Sequence, residues 1–178
     1  MIPKTAMENT APIRLKPGLD APLRGMRDAL ASVCAVAAAQ ALGLHYPLYA
    51  LVAAVIVSDA SMETMKTLGW QRMVATAFGA LVGAALSIVL GRNLAGIGLA
   101  VFLMIVVCYS VGLREAAKIS AYVAGIVVLD HGDSPWLYAM YRFIETALGI
   151  ACAYVVGLIF QFLVARLAAR DGVGSENN

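Results

Sequence analysis

Apolar residues fall in long blocks along this chain, separated by short polar breaks that carry nearly all of its charge. The first two dozen residues are polar and interrupted by Pro3, Pro12, Pro17 and Pro22, with Lys4, Arg14, Lys16 and Arg24 among them. They hold no apolar run followed by a small-residue cleavage site, so they read as a cytosolic tail rather than a signal peptide. An alanine-rich block then runs from about Arg27 to Gly43 and stops at His45-Tyr46-Pro47, where proline pushes the preceding residue out of helical geometry. The second block, Pro47 to Val57, ends in Ser58-Asp59-Ala60-Ser61. A third runs from about Met73 to Leu90 and closes at Gly91-Arg92-Asn93; the fourth is Leu94 to Leu113. Ile119 to Leu129 is the fifth, before Asp130-His131-Gly132-Asp133, and the sixth extends from near Trp136 to about Ala165. No stretch of soluble-domain composition divides these blocks. The expected organisation is one domain over residues 24–168, between polar tails at 1–23 and 169–178.

Composition sets the solvent. Of 178 residues, 61% are hydrophobic and 13% are charged, against roughly 45–50% and about 25% in soluble domains. A small soluble domain leaves too much of its surface wet to hide that apolar share. The expected fold is an all-α integral membrane protein with the lipid bilayer as its surroundings. A crossing helix needs about 20 apolar residues and at least about 17. The first, third, fourth and sixth blocks are that long, whereas the second and fifth offer only about 11. Those two either cross with polar residues shielded by neighbours or are re-entrant. Charge favours six crossings. With a cytosolic start, the inside receives Lys4, Arg14, Lys16, Arg24, Arg27, Lys66, Arg72, Arg114, Lys118, Arg166 and Arg170, and the outside only Arg92 and Arg142. That is a positive-inside bias with both termini cytoplasmic. Trp136, Tyr138 and Tyr141 then stand at the outer mouth of the sixth span, where an aromatic belt belongs.

A duplication gives the six spans a finer order. Val55-Ile56-Val57-Ser58-Asp59 closes the second block and Ile126-Val127-Val128-Leu129-Asp130 the fifth. Arg72-x-x-x-Thr76-x-x-Gly79 then opens the third span, and Arg142-x-x-x-Thr146-x-x-Gly149 the sixth, after a connector one residue shorter. Three spans separate the copies, so they insert in opposite senses: two inverted three-helix repeats. Short apolar segments at matching places in inverted repeats mark transporters whose site lies between the repeats. Gly79, Gly83, Ser87 and Gly91 recur every four residues on the third span, and Gly149, Ala153 and Gly157 on the sixth. Such stripes let helix backbones approach closely, within one chain or between copies.

Ionisable groups in membrane segments are costly, and each is a candidate site. Arg142 and Glu145 lie three apart on one helix face. Two readings stand: an anion-attracting arginine beside a proton-binding carboxylate, or an internal ion pair with Arg142 snorkelling to the headgroups. Asp59 and Asp130 sit at helix C-termini, where the dipole does not favour them; they either pair with the repeated arginines, accept protons or cap the next segment. Arg72, Arg142, Thr76 and Thr146 are the substrate-binding candidates, and Asp59, Asp130 and Glu145 the proton-coupling candidates. Cys34, Cys108 and Cys152 lie in apolar blocks without metal or disulfide spacing, and His45 and His131 are isolated. No nucleophile with its base, phosphate loop or cofactor motif is present, so an enzyme is not expected, nor a cofactor or metal. The net charge of +2 is too small and too scattered for a nucleic-acid partner.

Tyr46-Pro47-Leu48-Tyr49-Ala50 through Ala54-Val55-Ile56-Val57-Ser58, and Arg72-x-x-x-Thr76-x-x-Gly79-Ala80-Leu81-Val82-Gly83, make the chain resemble the fusaric acid resistance and aromatic acid exporter superfamily of bacterial inner-membrane proteins. The resemblance covers about residues 24 to 168. It departs from the family's Tyr-Trp at Leu48-Tyr49 and from its Arg-x-x-Gly-Thr at Ala75. The resemblance implies a transporter exporting aromatic or other small organic anions, often driven by protons. Many members fuse two six-span blocks, so this single block implies a homo-oligomer, a dimer or larger. A passive anion channel and a non-transporting scaffold are the alternatives.

The charge bias is directly checkable. In a background with the three cysteines replaced, Lys66→Cys is expected to react with a membrane-impermeant thiol reagent only from the cytosolic side, and Arg92→Cys only from outside. Labelling of both from one side would sink the six-span arrangement.

Overall fold

Proline, glycine and polar caps set the helix boundaries. In the computed structural model, residues 20–58, 61–130 and 134–174 are described, and among them the chain is six α-helices without a strand. Helix α1 is Asp20–Ala41, followed by Gly43 at φ 66°. Helix α2, Pro47–Val57, starts on a proline, whose missing N–H costs nothing in a first turn. Helix α3 is Met62–Leu90. The Ser61 hydroxyl accepts the Thr64 N–H at its start, and Gly91 ends it at φ 68°. Asn93 caps α4, Leu94–Ser110, by accepting the Gly96 N–H at 2.5 Å. Gly112, at φ 79°, turns the chain into α5, Arg114–Asp130, and Pro135 opens α6, Pro135–Gly174.

The second block coincides with α2. Four other helices outrun their apolar blocks, and α1 begins at Asp20 instead of Arg27. Helix α3 begins at the Ser61 cap instead of Met73, because Glu63, Lys66 and Thr67 turn an exposed polar face outward. Helix α5 begins at Arg114 instead of Ile119, and α6 continues to Gly174, into the segment read as a polar tail. Among the described residues, α3 and the Pro135–Val164 part of α6 are both long and apolar enough to cross a membrane. Helix α1, expected to cross, is long enough but carries Arg24, Arg27 and Asp28. Helix α4, also expected to, has 17 residues. The 11 residues of α2 reach only about 16 Å at 1.5 Å each, half of the ~30 Å hydrocarbon core.

Helices α3 and α6 pack on each other at the centre. Helix α5 lies along α3 and α4, while α2 lies along α6 and α1. Helix α1 also follows α6, whereas α4 touches α3 sparsely. The directions follow from the contacts. Gly69 of α3 meets Ile150 and Met65 meets Gly157, so α3 and α6 are antiparallel. Gly79 faces Ser120 and Val123, and Gly83 faces Ala124 and Val127, so α3 and α5 run the same way.

Glycine makes these approaches possible. A Cβ on Gly79 would stand 2.5 Å from the Ser120 carbonyl oxygen and 3.0 Å from the Val123 Cβ. Gly149 faces the corresponding atoms of α2, the Ala50 carbonyl oxygen and, at 2.8 Å, the Ala53 Cβ. The two sets are numbered 70 apart throughout: 79 and 149, 120 and 50, 123 and 53. The small stripe is therefore occupied within the chain. Gly91, its last member, is a helix cap instead. The bundle's outside is apolar, with Val89 78%, Phe102 62% and Phe162 60% exposed among many others. That exceeds the scattered apolar exposure usual on a soluble monomer.

Alanine substitutions separate close approach from helix propensity. Gly98 has open space around it, so Gly98→Ala is expected to raise thermal stability in detergent by up to about 1 kcal/mol. Gly149→Ala, whose methyl meets a backbone carbonyl, is expected to lower it by about 1–3 kcal/mol. Melting followed by circular dichroism tests the sign of each change.

Candidate functional site

Arg142, Glu145 and Thr146 share one face of α6, being three and four residues apart, and that face turns inward. All three are at most 3% exposed. The first turn of α2 brings Tyr49 beneath Arg142, whose Cζ lies 3.2 Å from the ring centroid in a cation–π contact. The Tyr49 hydroxyl is 3.0 Å from the Tyr138 hydroxyl, which donates at 3.4 Å to Asp130 at the end of α5. The Tyr46 ring meets Tyr138 edge to face at 5.0 Å and lies 6.1 Å from Tyr49. Three tyrosines thus pack together, and one of them, Tyr49, lies against a buried guanidinium.

Glu145 takes a different partner from the one its spacing suggests. Its Oε1 accepts the backbone N–H of Tyr46 at 2.7 Å, at the N-terminus of α2. A helix start offers unpaired N–H groups and positive potential, which a carboxylate complements. The ion pair between Glu145 and Arg142 does not form: among the described residues, the salt bridge present joins Arg27 to Asp28 at 3.3 Å. Nor does Arg142 snorkel, at 2% exposed. Its Nε and Nη1 and the Glu145 Oε2 are buried without a hydrogen-bond partner. A buried donor left unpaired costs about 1–3 kcal/mol, and more when charged, so these nitrogens favour an anion that completes them.

Arg72 repeats the pattern on α3. It is 3% exposed, its Nε and Nη1 are also unpartnered, and so is the Thr76 hydroxyl one turn on. The α3–α6 register puts Arg72 and Arg142 about 10 Å apart along the bundle at 1.5 Å per residue. Both are buried among the helices of the bundle.

The remaining candidates are dispersed. Asp130 is exposed and meets Tyr138 instead of an arginine. Asp59 and His131 lie outside the described residues. Lys66, Arg92, Arg114 and Lys118 are exposed, as rim charges would be. Tyr138, expected in an outward belt, is 4% exposed and faces the core, while Trp136 beside it is 52% exposed. Sequence reasoning placed no site role on Tyr46, Tyr49 or Tyr138. The available signal was the three-residue spacing of Tyr46 and Tyr49 at a proline-started helix. A surface groove of about 360 Å³ opens near Trp70, Gln71, Leu113 and Arg114. Its polar floor is already satisfied, Gln71 donating to Glu115 at 2.8 Å, and the buried arginines do not line it.

A family model described as "Aromatic acid exporter family member 1" matches residues 21–160, a span containing both arginines and every tyrosine of the cluster, and the chain belongs to that family. No curated protein and no solved structure matches it.

Removing the carboxylate at position 145 orphans the Tyr46 N–H. Glu145→Ala is expected to cost about 1–3 kcal/mol, read as a lower melting temperature in detergent. Glu145→Gln keeps an acceptor oxygen and is expected to retain most of that stability. Equal losses in the two variants would refute the capping role.

Proposed function

We propose that this member of the aromatic acid exporter family is a subunit of an inner-membrane carrier that exports small organic acids, chiefly aromatic ones. The observation that carries the reading is a pair of buried arginines, Arg72 and Arg142, each with unpartnered donors, inside a bundle whose outside is apolar. Guanidinium is the side chain best matched to a carboxylate, which it binds through charge-assisted hydrogen bonds. Thr76 and Thr146, one turn from each arginine, add hydroxyls to the same path.

In this reading the helices form two inverted three-helix repeats in the membrane, with both termini in the cytoplasm. The matched surroundings of Gly79 and Gly149 support it, as do the antiparallel α3 and α6. The contacts set a spacing of 70 residues for α2 and α5 as well as for α3 and α6, so no gap is needed; Asp59 and Asp130 are one residue out of that register. Repeats of this kind hold substrate where their central helices cross. Because Arg142 is buried, an acid reaches it when α2 and α6 part at the Tyr46 end. Glu145 holds those helices together there, so its protonation would ease the opening and couple it to a proton. Asp130, hydrogen-bonded to Tyr138 and exposed, and Asp59 are the further proton carriers in this scheme. The single six-helix block assembles in two or more copies in this reading.

The test is flux. In proteoliposomes, Arg142→Gln is expected to reduce transport of a labelled aromatic carboxylate at least tenfold while leaving the size of the detergent-solubilised assembly unchanged. Wild-type flux should follow an imposed pH gradient. Flux that ignores the gradient but follows voltage would make the protein a passive channel, and no flux under either condition would make it a scaffold.

A further inference from the structure

We propose that ring selectivity is built into one half of the bundle: Tyr46, Tyr49 and Tyr138 hold the ring of an aromatic acid whose carboxylate Arg142 binds, whereas Arg72 and Thr76 bind the carboxylate of any small acid. This rests on the carrier reading above and adds to it an assignment of specificity.

The argument is a comparison of the two arginines at the 70-residue spacing that the glycine contacts define. Each is nearly fully buried, with Nε and Nη1 unpartnered and a threonine one turn on. The residues at the matching positions differ. The positions matching Tyr49, Tyr46 and Tyr138 are Ile119, Ala116 and Leu68, and the match for Glu145 is Ala75. The half with Arg142 therefore has tyrosines and an acid at these positions, and the half with Arg72 has aliphatic residues at all four.

The tyrosine geometry suits an aryl acid. The Arg142 Cζ lies 3.2 Å from the Tyr49 ring centroid, and its Nε and Nη1 are buried with no hydrogen-bond partner. A carboxylate bound there carries its ring toward Tyr46 and Tyr138, which already meet edge to face at 5.0 Å. A third ring continues that packing, because aromatic edges and faces carry opposite partial charge. The hydroxyl contact at 3.0 Å between Tyr49 and Tyr138 fixes two of the three rings in place. A saturated ring of equal size lacks the edge-to-face attraction. Beside Arg72, aromatic and saturated acids meet the same aliphatic surface.

The experiment uses the full chain in proteoliposomes and two labelled dianions of similar size, phthalate and cyclohexane-1,2-dicarboxylate. Wild-type kcat/KM is expected to favour phthalate at least fivefold. Tyr49→Leu, or Tyr46→Leu if the former fails to fold, should bring that preference to within twofold, whereas Ile119→Leu and Arg72→Gln should leave the ratio in place while Arg72→Gln lowers both rates. Folding of each variant is checked by circular dichroism and size exclusion. An unchanged phthalate preference in a folded tyrosine variant, or a wild type that carries both acids equally, would overturn the selectivity proposal and leave the carrier reading standing. A wild type that moves neither dianion, nor any other organic acid, would overturn both.

Discussion

The backbone contacts at Gly79 and Gly149 set the positions of everything else in this bundle. At each, a central helix lies against a neighbour's carbonyl so closely that a methyl group would collide with it. That contact fixes the rotation of α3 against α5 and of α6 against α2. Arg72 and Thr76 precede Gly79 on the same face of α3, as Arg142 and Thr146 precede Gly149 on α6, so fixing the glycine also turns the arginine inward. Van der Waals packing of small residues is the force available where lipid gives helices no hydrophobic reason to associate. The stripe is thus the means by which two costly cations are held inside.

Holding them there has consequences that differ between the halves. Around Arg142, the guanidinium lies against the Tyr49 ring with no salt bridge to an acid among the described residues, and the carboxylate on its own helix hydrogen-bonds the start of α2. The division of labour is sensible electrostatically. A buried ion pair would neutralise the arginine and remove its attraction for a carboxylate, whereas a ring face stabilises the cation and leaves its hydrogen-bond donors unused. Glu145 meanwhile satisfies a backbone N–H that would otherwise be left bare at the mouth of a short helix.

The short helix is a constraint as well as an opportunity. With 11 residues, α2 has about half the length that a hydrocarbon core spans, and it packs along α1 and α6. In its first turn Ala50 is buried and Tyr49 half-buried, while Leu48 is 61% exposed, and the Glu145 carboxylate accepts the Tyr46 N–H just before it. The proposed binding site and the proposed opening both lie at that turn, because backbone ends inside a bundle are where polar chemistry can gather without exposure to hydrocarbon.

The sequence by itself determined the class of molecule, the helix breaks and the key positions on α3 and α6. Apolar blocks, Pro47, Gly91 and the repeated Arg-x-x-x-Thr-x-x-Gly are local signals, read one residue at a time, and α2 could be delimited to the residue. Helix starts at Met62 and Arg114 were hidden because polar turns continue a helix without continuing its apolar block. Tertiary structure decided which partners the charges took. Spacing alone put Glu145 within reach of Arg142, yet whether i and i+3 side chains pair depends on what the neighbouring helix offers, and α2 offers an N–H. Likewise, an alignment of the terminal aspartates needed a gap that the packing register does not, since register is set by which carbonyl faces each glycine. The clustering of Tyr46, Tyr49 and Tyr138 around Arg142 joins two helices about 90 residues apart in the chain, and no local pattern encodes a contact whose geometry exists only once both helices have packed.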